Sequence, residues 1–191
     1  MNEIVLDIET KKSFQEVGGK NNMHLLGVSV VGVYQYADDS FRAYEEKDFS
    51  ELEQVLKNTS RVIGFNSKYF DFPVLQPHIQ IDLKLIPHLD LIEATQDHLG
   101  FRVSLDNLAK INLGVGKSGH GLDAITWWRE GNIEAIKKYC LDDVRITRDI
   151  YEYGKKHGKV AAETRTDPRV DIPVHWEIAK DDPRYVQGSL F

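Results

Sequence analysis

The sequence predicts an α/β domain: a mixed five-stranded sheet flanked by helices, followed by a C-terminal β-hairpin. Three observations carry that prediction. Residues alternate with period two in NEIVLDIET, and GVSVVGVYQYADDSFRAY adds two strands around a turn. Short apolar runs then alternate with helical patterns up to about residue 91. Beyond residue 92 the apolar spacing becomes helical through residue 151.

The elements follow in order. NEIVLDIET reads as a strand in which Ile4, Leu6 and Ile8 alternate with Val5, Asp7 and Glu9. GVSVVGVYQYADDSFRAY reads as two strands around the Asp38-Asp39-Ser40 turn. DFSELEQVLKN is an amphipathic helix with Phe49, Leu52, Val55 and Leu56 on its apolar face. RVIGF is a short buried strand, DFPVLQPHI a short helix and KLIPHLDL the last strand of the sheet. The helices IEATQDHLG, SLDNLAKI with Ser104 as N-cap, and LDAITWWREG come next. A long helix occupies residues 133–151, and KVAAETRT with VDIPVHW forms a hairpin around Asp167-Pro168-Arg169. The boundaries are 1–157 for the main domain, 158–177 for the hairpin extension and 178–191 for a polar tail with too little apolar content to pack.

Acidic residues stand where burial makes them costly. At about 100° per residue, Ile133, Ile136, Cys140, Val144, Thr147, Ile150 and Tyr151 form one stripe of the long helix, with Asp143 inside it. Asp142 points away with Lys138, Arg145 and Asp149. A carboxylate on a buried face costs several kcal/mol unless it is paired or bound to a cation. Tyr139 lies one turn earlier, so its hydroxyl and the Asp143 carboxylate serve one site. Period two puts Asp7 and Glu9 on one face of the first strand, roughly 7 Å apart, where they repel unless a cation lies between them. Asp71 sits between Phe70 and Phe72 just before Pro73, again an acid at a packed edge. Four oxygen-donor acids without a cluster of soft ligands indicate a hard cation, Mg²⁺ or Mn²⁺, rather than zinc.

These motifs stand as Asp7-Ile8-Glu9-Thr10, as Asn66-Ser67-Lys68-Tyr69-Phe70-Asp71, and as Tyr139-Cys140-Leu141-Asp142-Asp143. The pattern D-x-E, N-x(2–3)-F-D, Y-x(3)-D resembles the three motifs of the DEDD 3′–5′ exonuclease superfamily. Lys138 stands where the histidine branch of that superfamily wants His, so the resemblance is to the tyrosine branch. The wording is nearest to proofreading domains of family-B DNA polymerases and their stand-alone bacterial relatives. It covers residues 1 to about 155. Each motif alone is ordinarily a solvated strand end, a turn or a surface pair; their order and their placement on matching elements give the match its weight.

The resemblance implies a ribonuclease H-like fold and hydrolysis of phosphodiester bonds at the 3′ end of single-stranded nucleic acid, DNA favoured over RNA. Two divalent cations are implied. Asp7, Glu9 and Asp143 would hold the first; Asp7 also faces the second, with Asp71 nearby. Tyr139 would orient the attacking water, while Thr10 and Asn66 are candidates for positioning substrate. Asn66 has an alternative as the cap of the following helix. A ribonuclease H-like endonuclease and a non-catalytic nucleic-acid-binding or adaptor module are the alternative functions.

Composition fits a soluble enzyme. The 191 residues suffice for one domain with a proper core. No apolar run has transmembrane length and no signal peptide is present, so the expected location is cytoplasmic. The single cysteine, Cys140, falls on the buried stripe and reads as a packed thiol. A net charge of −6 argues against long-range attraction of nucleic acid, though two divalent ions would cancel the four site acids locally.

GVGKSGHG ends like a phosphate-binding P-loop, but Ile111 stands where its first glycine is needed, and the segment follows a helix. A mobile loop is the plain reading, and Lys117 touching a substrate phosphate is the second. His88 and His98 are structural or surface residues, since the seven histidines lack metal-ligand spacing. Lys155, Lys156, Lys159, Arg165 and Arg169 make the hairpin the most basic region, either a solvated face or a hold on the nucleic-acid backbone. Residues Gln187-Gly188-Ser189-Leu190-Phe191 resemble the pentapeptide Q-L-(S/D)-L-F by which bacterial replication and repair proteins bind the sliding clamp. Gln187, Ser189, Leu190 and Phe191 match, and Gly188 replaces the usual leucine.

Overall fold

The computed structural model describes residues 2–116 and 121–176. Lys117 and the pentapeptide 187–191 therefore lie outside the described residues.

The sheet is five-stranded, in the order β3-β2-β1-β4-β5. Its strands are β1 (Glu3–Thr10), β2 (Val28–Gln35), β3 (Ser40–Tyr44), β4 (Arg61–Gly64) and β5 (His88–Asp90). β1 and β2 pair antiparallel, as do β2 and β3, whereas β1, β4 and β5 run parallel. The expected β2–β3 hairpin turns at Asp39, whose φ of 52° is the left-handed conformation that Asp tolerates.

Period two divides the helices between two faces. Ile4, Leu6 and Ile8 point into a core with α1 (Phe49–Lys57) and α2 (Asp71–Leu75), built on Phe49, Leu52, Leu56, Phe72 and Leu75. Val5 points the other way, toward α4 (Leu105–Leu113) and α6 (Ile133–His157). α3 (Leu91–Leu99) and α5 (Gly121–Arg129) complete the helices. Ser104 caps α4 as expected, its hydroxyl accepting from the Asn107 amide at 3.1 Å.

The strand expected over KLIPHLDL is shorter than its apolar pattern. Leu83–Leu85 form a 3₁₀ turn, capped by Asp82, and the ladder covers His88–Asp90. Leu83 is buried in the core beneath α1 and α2, so its hydrophobicity serves packing rather than pairing. Another 3₁₀ segment, Lys20–Leu25, was not legible in the sequence.

β6 (Lys159–Ala162) and β7 (Val170–Pro173) form the antiparallel hairpin. Val160, Ala162, Ile172 and Trp176 join the same core as α4 and α6. Arg61 ties this corner together: its Nε donates to Glu3 at 2.7 Å, its Nη1 to the Trp176 carbonyl at 2.9 Å, and its Nη2 to the Tyr151 hydroxyl. Trp176 stacks on Tyr151 and lies where a Cβ on Gly154 would fall, 2.2 Å from its ring. Among the basic residues of this end, Lys155 pairs with Glu152, and Lys159 and Arg169 pair with Asp171. Lys156 and Arg165 are exposed. No helix among the described residues is long and apolar enough to cross a membrane.

Candidate active site

Asp7 and Glu9 share a face of β1 with Val5, the face covered by α6. Asp7 stands opposite Gly32 of β2 and Glu9 opposite Val30, with a bulge between Glu9 and Thr10. α6 packs closely at this point because Gly32 has no side chain. A Cβ there would lie 2.8 Å from Cys140 Sγ and 3.0 Å from Val144 Cγ2. The approach brings one carboxylate oxygen each of Asp7, Glu9 and Asp143 within 4.8 Å of one another. Glu9 is 7% exposed and Asp143 4%. Three carboxylates this close, two of them buried, are a poor arrangement for anything except a cation. The all-oxygen donor set fits Mg²⁺ or Mn²⁺.

Asp71 arrives from the other side of β1. β1 pairs with β4 only over Glu3–Val5, so the Ile8 amide lies beyond that ladder. Asp71 Oδ1 accepts from this amide at 3.0 Å. Burial first, and the Asp7 charge second, push the Asp71 carboxyl well above the usual carboxylate range. A divalent ion beside it would reverse that direction.

Tyr139 is 4% exposed and lies one helical turn before Asp143 on α6. Burial, then the charges of Asp143, Glu9 and Asp7, raise its pKa, which keeps the hydroxyl a donor. Trp127 of α5 meets the Tyr139 ring edge-on at 5.9 Å and fixes its orientation. Cys140 is the packed thiol expected, donating to the Asp7 carbonyl at 3.4 Å and to Asp7 Oδ2 at 3.7 Å. Burial and the nearby acids push its pKa up, so it stays a thiol.

The segment before Asp71 is shaped by its backbone. A Cβ on Gly64 would collide with Ser67 Oγ at 1.9 Å, so only glycine lets the chain fold back there. Asn66 has a φ of 63°, a left-handed conformation that Asn adopts readily. Its Oδ1 accepts from Arg102 Nη1 at 3.0 Å. Phe70 occupies the N-cap of α2, which has no side-chain cap, so the capping alternative for Asn66 does not hold. The Thr10 hydroxyl donates to the Lys12 carbonyl at 2.9 Å, within the turn after β1.

Asp90 was missed by sequence reasoning. It is 2% exposed at the end of β5. Its Oδ1 accepts from the amides of Asn66 (2.6 Å) and Ile92 (3.2 Å), and its Oδ2 from that of Lys68 (3.0 Å). It thus holds the turn that delivers Asp71. The signal was present as an Asp immediately before a helix, the ordinary N-cap position. His88 is the structural residue expected: its Nε2 lies 2.8 Å from Ser67 Oγ, and its ring packs on Phe72 with centroids 4.3 Å apart.

Comparison with known proteins bears on the fold. A family model described as the RNase_H superfamily matches residues 4–154. Among solved structures, the family B DNA polymerase from Pyrobaculum calidifontis superposes with a TM-score of 0.60 at 18% identity, covering 81% of this chain and 24% of that one. Trypanosoma brucei RNase D superposes with a TM-score of 0.55 at 17% identity, covering 79% of this chain and 56% of that one. The chain therefore spans about a quarter of the polymerase and just over half of the RNase D. No curated protein matches the sequence.

Proposed function

We propose that this chain, which belongs to the ribonuclease H superfamily, is a metal-dependent 3′–5′ exonuclease of the tyrosine branch, acting on single-stranded ends and on DNA in preference to RNA. The observation that carries the reading is the convergence of Asp7, Glu9 and Asp143 within 4.8 Å, with buried Tyr139 one helical turn from Asp143.

Asp7, Glu9 and Asp143 would hold one cation, and Asp7 with Asp71 the other. When bound, the pair stabilises charge on the attacking and leaving oxygens of an in-line displacement. The residues of the chain supply the rest. Tyr139, held as a phenol between Asp143 and Trp127, offers a fixed hydroxyl to position the nucleophilic water. Asp90 keeps the 66–71 turn in register, so Asp71 stays bonded to β1. Because the acids are recessed between α6 and that turn, a strand end separated from its partner suits the site better than duplex.

A 5′-labelled oligonucleotide tests the reading. With Mn²⁺ it should give a ladder of shorter products that EDTA abolishes. A bulky block on the 3′ hydroxyl should stop the reaction. Cutting of the blocked strand would reveal an endonuclease, and a mobility shift without cleavage a binding module. Tenfold faster digestion of a matched RNA would overturn the preference for DNA.

A further inference from the structure

Next to the turn that carries Asp71 lies a cleft of about 450 Å³, lined by Tyr69, Glu93, Gln96, Asp97 and Arg102. It opens at the carboxyl ends of β4 and β5, the same edge of the sheet at which parallel β1 presents Glu9. Tyr69 precedes Asp71 by two residues, so at most about 7 Å of chain separates them. That is roughly two nucleotide steps along one strand at duplex rise.

The cleft is built from held side chains. The Tyr69 hydroxyl donates to Glu93 at 2.7 Å, and Lys68 pairs with the same carboxylate at 2.8 Å, yet Tyr69 remains 48% exposed. Arg102 donates from Nε to Gln96 Oε1 and from Nη1 to Asn66 Oδ1, both at 3.0 Å. Its guanidinium carbon then stands 5.7 Å from the centre of the Tyr69 ring. An exposed aromatic ring pinned through its hydroxyl, beside a planar cation pinned twice, loses little rotamer freedom when something flat lies against it. Flat, polar-edged ligands that stack on an aromatic ring next to arginine are nucleobases. Glu93 is matched by Lys68, whereas the Asp97 carboxylate disfavours a phosphate inside the cleft and suits the amino edge of a base.

We propose that this cleft is a base-binding subsite for a nucleotide just upstream of the 3′-terminal one, stacking it on Tyr69 with Arg102 at its side. The proposal rests on the exonuclease reading for its direction along the strand. Held there, the upstream base sets the path of the backbone into the acid centre, so Tyr69 and Arg102 are positioning residues.

Two substrates test it. The p-nitrophenyl ester of thymidine 5′-phosphate offers one nucleotide with nothing upstream, whereas a short oligothymidylate fills the cleft. The ratio of kcat/KM for the oligonucleotide to that for the ester should fall about tenfold or more in Tyr69→Ala. A smaller fall is expected in Arg102→Ala, and Tyr69→Phe, which keeps the ring, should retain most of the ratio. A ratio unchanged in Tyr69→Ala, whether both rates fall together or neither does, overturns the subsite. If the unaltered protein hydrolyses neither substrate with Mg²⁺ or Mn²⁺, the exonuclease reading fails by itself. Fluorescence anisotropy of labelled oligothymidylate in EDTA then decides the cleft. Weaker binding by Tyr69→Ala supports it, and equal binding overturns it.

Discussion

Asp7 is the carboxylate on which both cations would converge, and it touches Asp71 electrostatically as well as lying within the acid cluster. Asp7→Asn should lower kcat by more than about 100-fold, beyond the range seen for residues that only support a ligand. The same change should raise the thermal midpoint in EDTA, because the metal-free protein loses one of several mutually repelling charges. Each kcal/mol recovered moves the midpoint of a chain this size by roughly 2–4 °C. An unchanged or lower midpoint in EDTA would argue that these acids are not repelling one another. His88 makes a separate prediction. Burial lowers its pKa from 6.5 to about 4, so the folded chain prefers the neutral ring. The unfolded chain takes up the proton first, and the stability contributed above pH 6.5 drains away as pH falls toward 4. Urea unfolding at steps across that window should show a shallower acid decline for His88→Gln than for the unaltered protein. Identical slopes would remove His88 as the cause.

At the scale of elements, the contact between α6 and β2 decides where Asp143 stands. Gly32→Ala would drive a methyl group against Cys140 Sγ and Val144 Cγ2, forcing the helix outward. Overpacking of this kind costs about 1–3 kcal/mol, and here it also displaces a ligand from the acid cluster. Activity should fall more steeply than stability, and adding Cys140→Ala to Gly32→Ala should recover part of both. Calorimetry and oligonucleotide cleavage on the two variants and their combination check this. The acids themselves were legible because each carries a local contradiction: a charge on a buried stripe, two charges on one strand face, an acid between aromatics. Gly32 carried none, since its meaning lies in a helix more than a hundred residues away. Leu83 and Leu85 misled for a related reason, because an apolar run before Pro87 reads as a strand whether its side chains serve a ladder or a core. The strand RVIGF and the helix DFPVLQPHI left a connection through Asn66 between them, but what locks it is Asp90, a contact that periodicity does not encode.

Over the whole molecule, the Arg61 network binds the start of the chain to its hairpin. Glu3 sits on β1, Arg61 on β4, Tyr151 on α6 and Trp176 just past β7. Arg61→Met would leave the Glu3 carboxylate buried without its cation, at a cost of about 3–5 kcal/mol. The midpoint should drop by roughly 10 °C, and Glu3→Leu added to it should restore much of the loss. A drop of only a degree or two would mean that the hairpin is held by Trp176 and the apolar contacts alone. None of this was legible, because the partners are 58 to 115 residues apart and each looks ordinary in its own neighbourhood. The pentapeptide 187–191 makes the remaining prediction at this scale. If it binds a bacterial sliding clamp as its resemblance implies, its removal should abolish co-elution with the clamp and leave any cleavage of short free oligonucleotides unchanged; no co-elution by the intact protein would end that reading. Persistent co-elution after the deletion would place the contact elsewhere.

The positions of the acids along the chain have a consequence for synthesis. Asp7 and Glu9 leave the ribosome first, Asp71 follows, and Asp143 comes only with α6. At about 5–20 residues per second, several seconds separate the first ligand from the last. Throughout that interval the nascent chain carries acids that cannot close around an ion. A centre that needs α6 is assembled only after that helix has emerged, so β1 and the Asp71 turn are made well before the site can close.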